Sequence, residues 1–163
     1  MDNQTALFVK MALDGWNGQN KRFNDLINKL SDEQLLAETA PGRNTGIYLL
    51  GHLVAVNDGL LPLFGFGPRL YPELDDVFLR NPDKSGLPKP SVAELKAALT
   101  KINEELHLNF AKLQPQEWFA KHTAVSVEDF AKEPHRNRLN VLLGRTTHMA
   151  YHLGQLAYLA GQE

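Results

Sequence analysis

The chain has 163 residues, 43% of them apolar and 22% charged, a composition that predicts one folded domain over residues 1–163 and disfavours disordered or fibrous classes. Its 17 Lys and Arg against 19 Asp and Glu give a formal net charge of −2 without a long basic run, so nucleic acid is not an expected partner. The chain contains no cysteine, so any metal must be held by histidine, carboxylate or water.

The N-terminal residues do not resemble a secretory signal, because Asp2 is acidic and no basic segment precedes an unbroken apolar core. No run approaches the roughly 20 apolar residues that a membrane span requires. We therefore expect a cytoplasmic protein with no membrane partner.

The first predicted helix covers residues 5–30, where apolar side chains recur at alternating spacings of three and four and line one face. Asn20 interrupts this stripe with a polar group. Directly afterwards, Ser31 and Gln34 are spaced as a capping box, which predicts a short additional helix.

The second helix is predicted over residues 46–62, behind an N-cap at Asn44 or Thr45. Its apolar residues cover most of the circumference, which is typical of a helix packed on several sides. Pro62 is expected to end or kink it. One ionisable ring, His52, lies inside the apolar run, so we expect it to face inward and to need a partner.

Residues 63–90 are predicted to form a long irregular connection, because prolines and glycines follow one another closely there. A connection of this length is usually functional or crosses from one end of a bundle to the other. Its aromatic residues indicate that it packs onto the helices as a cover: Phe64, Phe66, Tyr71 and Phe78.

The third helix, over residues 91–113, has the cleanest three-four rhythm and begins with a second capping box, Ser91 and Glu94. Residues 114–134 show no sustained period, and the segment TAVSVEDF within them fits either an extended piece or a turn of helix. The last helix is predicted over residues 136–160.

Four substantial helices without a clear strand pattern predict an all-α fold, a four-helix bundle with two long connections. The length of those connections argues against the simplest up-down-up-down arrangement with tight turns.

The last helix carries His148 and His152 four residues apart, which places both imidazoles on one face where they can share a metal ion. Arg145 and Gln155 lie in the same stripe, and such a run of polar groups faces either water or a lined cleft, because burial without a partner costs a few kcal/mol. His52 favours the cleft, since three imidazoles on two facing helices leave a coordination position open. On spacing alone, an incidental solvated pair remains the alternative.

The other three histidines are expected to have surface or supporting roles. His107 flanks the stripe of the third helix, and His122 and His135 lie in polar, loop-like surroundings.

The segments GHLVAVNDGLL, with His52, and THMAYHLGQL, with His148 and His152, resemble the DinB/YfiT-like superfamily of small metal-binding helical proteins. The resemblance extends to SDEQLLAETAPGRNTGIYLLGH, and its most specific part is the His-x-Gly-Gln ending at His152, Gly154 and Gln155. It implies a four-helix bundle, usually a homodimer, with a divalent metal bound by one histidine of the second helix and two of the last.

These family ligands correspond to His52, His148 and His152. The resemblance implies zinc or nickel as the typical metal, with manganese or iron as further candidates. It also implies a small-molecule substrate and thiol-dependent chemistry, either transfer of or isomerisation with low-molecular-weight thiols such as bacillithiol and mycothiol.

The first functional hypothesis is therefore a metal-dependent thiol S-transferase or related enzyme, in which the open position binds a thiol and favours its thiolate. Arg145 could pair with a carboxylate of the substrate, or with Asp or Glu of a neighbouring helix. Gln155 could orient a ligand histidine or a metal-bound water, or hold two helices together. Asp58 and Asn20 are weaker candidates for lining the cleft.

Two alternatives stay open at this point. A metal-dependent hydrolase would need a nearby carboxylate base; Asp58 lies six residues after His52 and not squarely on its face, which disfavours this reading. A non-enzymatic binding or stress-response module would use the metal, or an unmetallated pocket, to hold a ligand or to stiffen the fold.

Overall fold

The computed structural model describes residues 3–161, and its regular structure there is entirely helical apart from two isolated β-bridges. The all-α prediction is therefore confirmed. The α-helices in chain order are α1 (Asn3–Lys29), α2 (Asp32–Leu36), α3 (Gly46–Asp58), α4 (Leu60–Phe64), α5 (Val92–Phe110), α6 (Val127–Lys132) and α7 (Arg138–Leu156). A π-helical turn (Asp76–Arg80) and two 3-10 helices (Pro115–Phe119 and Ala157–Gly161) complete the elements of this range.

The predicted caps form at the starts of the helices. Ser31 and Ser91 each close a capping box, with Gln34 and Glu94 respectively, so α2 and α5 begin where the sequence signal predicts. Thr45, rather than Asn44, caps α3 by accepting a hydrogen bond from the backbone N–H of Tyr48.

The four long helices run in two opposite directions. α3 is antiparallel to α7, because Gly46 at its start lies against Leu159, while His52 lies against His148 further down. Gln34, just beyond α1, donates a hydrogen bond to the carbonyl of Leu159, which places the C-terminal ends of α1 and α7 together. α1 packs along α7, and α3 packs along α5.

The connection between α4 and α5 returns along α3 in the reverse direction. Phe78 lies on Gly51, the carbonyl of Asn81 accepts a hydrogen bond from the Tyr48 hydroxyl, and Asp83 accepts one from the backbone N–H of Thr45. The start of α5 is thereby brought to the end of the molecule at which α3 begins. The connection packs onto the helices: Phe78 is fully buried, and Phe66 and Tyr71 pack against the core while partly buried. Phe64 is buried too, but it belongs to α4.

The connection between α5 and α7 stays at one end of the molecule. The N–H of Arg138 donates to the carbonyl of Ala120, and Thr123 donates to the carbonyl of Leu63. Within this stretch the first half of TAVSVEDF forms a turn and the second half begins α6, which Ser126 caps. Of the two long connections, the one between α4 and α5 therefore crosses the molecule.

The second helix is interrupted at Gly59, within the turn that precedes Pro62, and continues as α4. This is where a proline acts, because its ring crowds the carbonyl four residues earlier, here that of Asp58, and it has no N–H to donate to that carbonyl. The expectation that no segment approaches a membrane span needs correction. The stretch Gly46–Phe64 is 19 residues long and apolar enough, but it is 72% buried inside the protein, as the core helix of a soluble protein is.

Candidate metal centre

The position of His52 depends on the close packing of the cover against α3. Gly51 has no side chain, and a Cβ there would lie 2.3 Å from the Phe78 ring. This close approach brings the backbone carbonyl of Phe78 to 2.9 Å from Nδ1 of His52. The neighbouring Tyr48 ring stacks on the imidazole at 6.4 Å between centroids, with an angle of 15° between the planes. His52 is therefore held on two sides.

The two histidines of α7 complete a compact cluster with His52. Nε2 of His148 lies 2.9 Å from Nε2 of His152 and 3.2 Å from Nε2 of His52. The three rings meet edge to face, with centroids 4.5 to 5.1 Å apart. The helical spacing of four joins the α7 pair, and the antiparallel packing of α3 on α7 supplies the third ring.

Two of the three rings have their outer nitrogen engaged by an oxygen. Nδ1 of His52 donates to the Phe78 carbonyl, and Nδ1 of His152 donates to Oε1 of Gln155 at 2.7 Å. Because carbonyl and amide oxygens only accept, these bonds place the proton of each neutral ring on Nδ1. Both Nε2 lone pairs then face the centre of the cluster, which is the arrangement that protein oxygens impose on metal-binding histidines.

The surroundings of His148 and His152 favour their neutral forms at neutral pH. Burial, together with the charges of His152, His52 and Arg145, lowers the pKa of His148 to about 4. Burial also lowers the pKa of His152, against an opposing contribution from the hydrogen bond to Gln155, and the charge of His52 lowers it further. Neutral imidazole is the form that binds metals.

The residues present fit a divalent cation. Two nitrogens bound to one tetrahedral zinc ion at ~2.0–2.1 Å lie about 3.3 Å apart. The Nε2–Nε2 distances from His148 to His52 and His152, 3.2 and 2.9 Å, are close to this value. The three nitrogen ligand atoms all lie within 4.8 Å of one another. The Nε2 lone pairs of His52 and His152 both face the centre of the cluster, where a cation would stabilise them. Imidazole donors suit zinc, nickel, copper and iron better than the hard cations.

The sequence model of the DinB superfamily matches residues 16–156 of this chain, and this range contains all three histidines of the cluster. The chain belongs to the DinB superfamily. No curated protein matches the sequence at a significant level. The family resemblance predicted from the two histidine segments is thus confirmed.

Gln155 of this DinB protein lies at the cluster, where it contacts His152, and one of its two predicted roles therefore has a structural basis. Asp58 is placed differently. It is fully buried, and its two oxygens accept hydrogen bonds from the N–H groups of Leu70 and Tyr71 at 2.8 and 2.9 Å. It anchors the start of the cover and does not belong to the metal-ligand group.

Asn20 does not line the histidine cluster. It faces a separate small cavity between α1 and α5, together with Asn24, Asn103 and His107. His122 lies in the α5–α7 connection, where burial and the charges of Arg136 and Lys121 lower its pKa. His107, His122 and His135 all lie outside the cluster, as predicted.

Arg145 lies one turn before His148, half-buried, and it has no acidic partner within residues 3–161. The predicted ion pair with a neighbouring helix is therefore absent from the described range. The backbone carbonyl of Phe78 and the open face of Gly51 were not predicted as parts of the site. A carbonyl has no sequence signal, and Gly51 reads as an ordinary helical glycine until the cover is in place.

Proposed function

We propose that this DinB superfamily protein binds a divalent metal through His52, His148 and His152 and acts as a metal-dependent enzyme of the thiol S-transferase or isomerase type. The observation that carries the proposal is the convergence of three Nε2 atoms, two of which are left unprotonated by the hydrogen bonds from Nδ1 to Phe78 and Gln155. DinB-like proteins bind divalent metals, which supports the same assignment.

The metal proposed is zinc or nickel, since both suit three imidazole ligands, with iron or manganese as further candidates. When bound by three protein ligands, such an ion leaves a position at which a thiol loses its proton at neutral pH. We further propose the family's four-helix bundle and a homodimer, on the basis of the family resemblance, and a cytoplasmic location.

The chain's own residues would then orient the ligands and the substrate. Phe78 and Gln155 fix the rings of His52 and His152, so that the lone pairs stay directed inward. The thiol must come from outside, because the chain contains no cysteine. In a transfer, the sulfur of this thiol forms a bond to an electrophilic carbon, the leaving group departs, and the thiol proton passes to solvent.

Hydrolysis is less well supported. A water nucleophile benefits from a carboxylate base nearby, and no carboxylate joins the ligand group in residues 3–161. Asp58, the candidate for this role, has both oxygens occupied by backbone N–H groups. The thiol reading needs no protein base at this position.

Turnover by metal-loaded protein tests the proposal. The purified protein, loaded with zinc or nickel, is incubated with a panel of low-molecular-weight thiols and an electrophile such as a haloarene, and thioether formation is followed. We expect metal-dependent turnover that is lost in His148→Ala and retained in the matched variant His107→Ala. Complete silence across the panel in a sample of verified metal content would instead favour a non-enzymatic binding module.

A further inference from the structure

A groove of about 410 Å³ lies between the α3–α4 junction and α7, one helical turn from the histidine cluster. Val56 lies four residues after His52 on α3, Arg145 lies three residues before His148 on α7, and both line the groove. The volume falls within the range of small-molecule pockets, which combine apolar walls with a few polar groups. Its two charged lining residues are Arg69 and Arg145.

Arg69 is a compensated cation. Its guanidinium lies 2.8 Å from Oδ1 of Asp75 and donates to the carbonyl of Ala55 at 2.9 Å. The Arg69 side chain packs directly against Gly59, where an added Cβ would lie 2.9 Å from the guanidinium. Arg69 is thereby fixed across the α3–α4 junction with its charge matched.

Arg145 is not compensated. Its side chain is half-buried, and within residues 3–161 it makes neither a hydrogen bond nor an ion pair. Burial lowers its pKa, and so does the charge of Arg69 nearby, yet guanidinium stays protonated in proteins. Thr123, the other hydrogen-bonding side chain of the lining, already donates to the carbonyl of Pro62. The groove therefore contains one unmatched positive charge.

A half-buried cation without a partner costs free energy, and an anion seated in the groove would offset this cost. Guanidinium binds planar oxyanions through two parallel N–H donors. One unmatched positive charge suits the single negative charge of a carboxylate better than the double charge of a phosphate. Arg145 precedes His148 by three residues on one face of α7, and its charge acts on the His148 ring, so a group held by Arg145 lies within reach of the cluster.

We propose that this groove binds a carboxylate of the substrate, with Arg145 as the residue that contacts it, so that the reacting end of the molecule lies at the histidine cluster. The inference rests on the proposed function for the identity of the cluster, and it adds the substrate class: a small organic acid, or a thiol that carries a carboxylate. Arg69 adds to the positive potential of the groove, but its own charge is already paired with Asp75.

A cycle of two ligands and two proteins measures the contribution of Arg145. The cobalt-substituted protein is titrated with 3-mercaptopropionate and with its neutral amide, 3-mercaptopropionamide, and the thiolate-to-cobalt absorption reports binding. We expect the acid to bind about tenfold more tightly than the amide, as a charge-assisted hydrogen bond gives. This preference should vanish in Arg145→Gln, persist in part in Arg145→Lys, and stay intact in Arg22→Gln, which removes the same charge at an exposed position of α1.

A second measurement is independent of thiol chemistry. The side-chain Nε–H signals of arginine are recorded on ¹⁵N-labelled, zinc-loaded protein during titration with succinate or neutral succinamide. We expect the Arg145 signal to shift saturably with succinate alone. If both thiols give thiolate absorption but the acid binds no more tightly than the amide, the carboxylate-binding role of the groove is refuted, while the metal site remains supported. A saturable succinate shift without any thiolate absorption would support the groove while contradicting the proposed thiol chemistry.

Discussion

Acidification should destabilise the metal-free protein through His148 at a pH where most carboxylates are still ionised. Burial and the neighbouring charges lower the pKa of this ring from 6.5 to about 4. Because the folded pKa is the lower one, the unfolded chain takes up the proton first as the pH falls. The stability that His148 contributes is therefore fully present above pH 6.5 and is lost progressively towards pH 4.

The size of this effect follows from the two pKa values. A shift from 6.5 to about 4 corresponds to about 3 kcal/mol, and solvent screening of the half-buried ring reduces it to roughly 1–2 kcal/mol. Urea denaturation of the metal-free protein between pH 7 and pH 4.5 measures it. Between these two pH values the free energy of unfolding should decrease less in His148→Gln than in the wild type, by this amount. In His135→Gln, whose ring is exposed, the decrease should equal that of the wild type. Equal pH dependence in the wild type and His148→Gln would refute the reasoning.

Three further substitutions test how the site is supported. Gly51→Ala should lower the free energy of unfolding by about 1–3 kcal/mol in thermal denaturation and weaken zinc binding, because the added Cβ meets the Phe78 ring. The control Gly15→Ala, with no atom within 4 Å of the added Cβ, should instead stabilise α1. Gln155→Leu should lower zinc affinity about 10–100-fold in competition with a chelator, because Nδ1 of His152 loses its acceptor, and Gln155→Glu should retain most of the affinity. Asp58→Asn should lower the urea midpoint by the equivalent of about 1–3 kcal/mol and leave zinc affinity unchanged, because one backbone N–H of the cover loses its acceptor.

Local signals predicted the helices and most of the cluster. The capping boxes at Ser31 and Ser91 and the three-four rhythm are properties of neighbouring residues, so they survive in the fold. The pair His148 and His152 is likewise fixed by helical geometry alone. His52 was predictable because a single imidazole stands out in an apolar helix.

The remaining features depend on contacts between distant parts of the chain. The Phe78 carbonyl reaches His52 only because the cover runs back along α3, a path that its prolines and glycines do not encode locally. One of the two partners considered for Arg145 was an acidic residue of a neighbouring helix, and its unpaired state in the described range emerges only from the packing around it. Asp58 was assigned to the cleft from its position near His52, whereas its actual partners lie 12 and 13 residues further along the chain.

Metal content measured by elemental analysis, after loading with zinc or nickel and removal of excess ion, tests the three-histidine site most directly. We expect about one ion per chain in the wild type and in His107→Ala, His122→Ala and His135→Ala. The content should fall sharply in His52→Ala, His148→Ala and His152→Ala. Equal loss in both groups of variants, or no bound metal in the wild type after either ion is offered, would contradict the assignment.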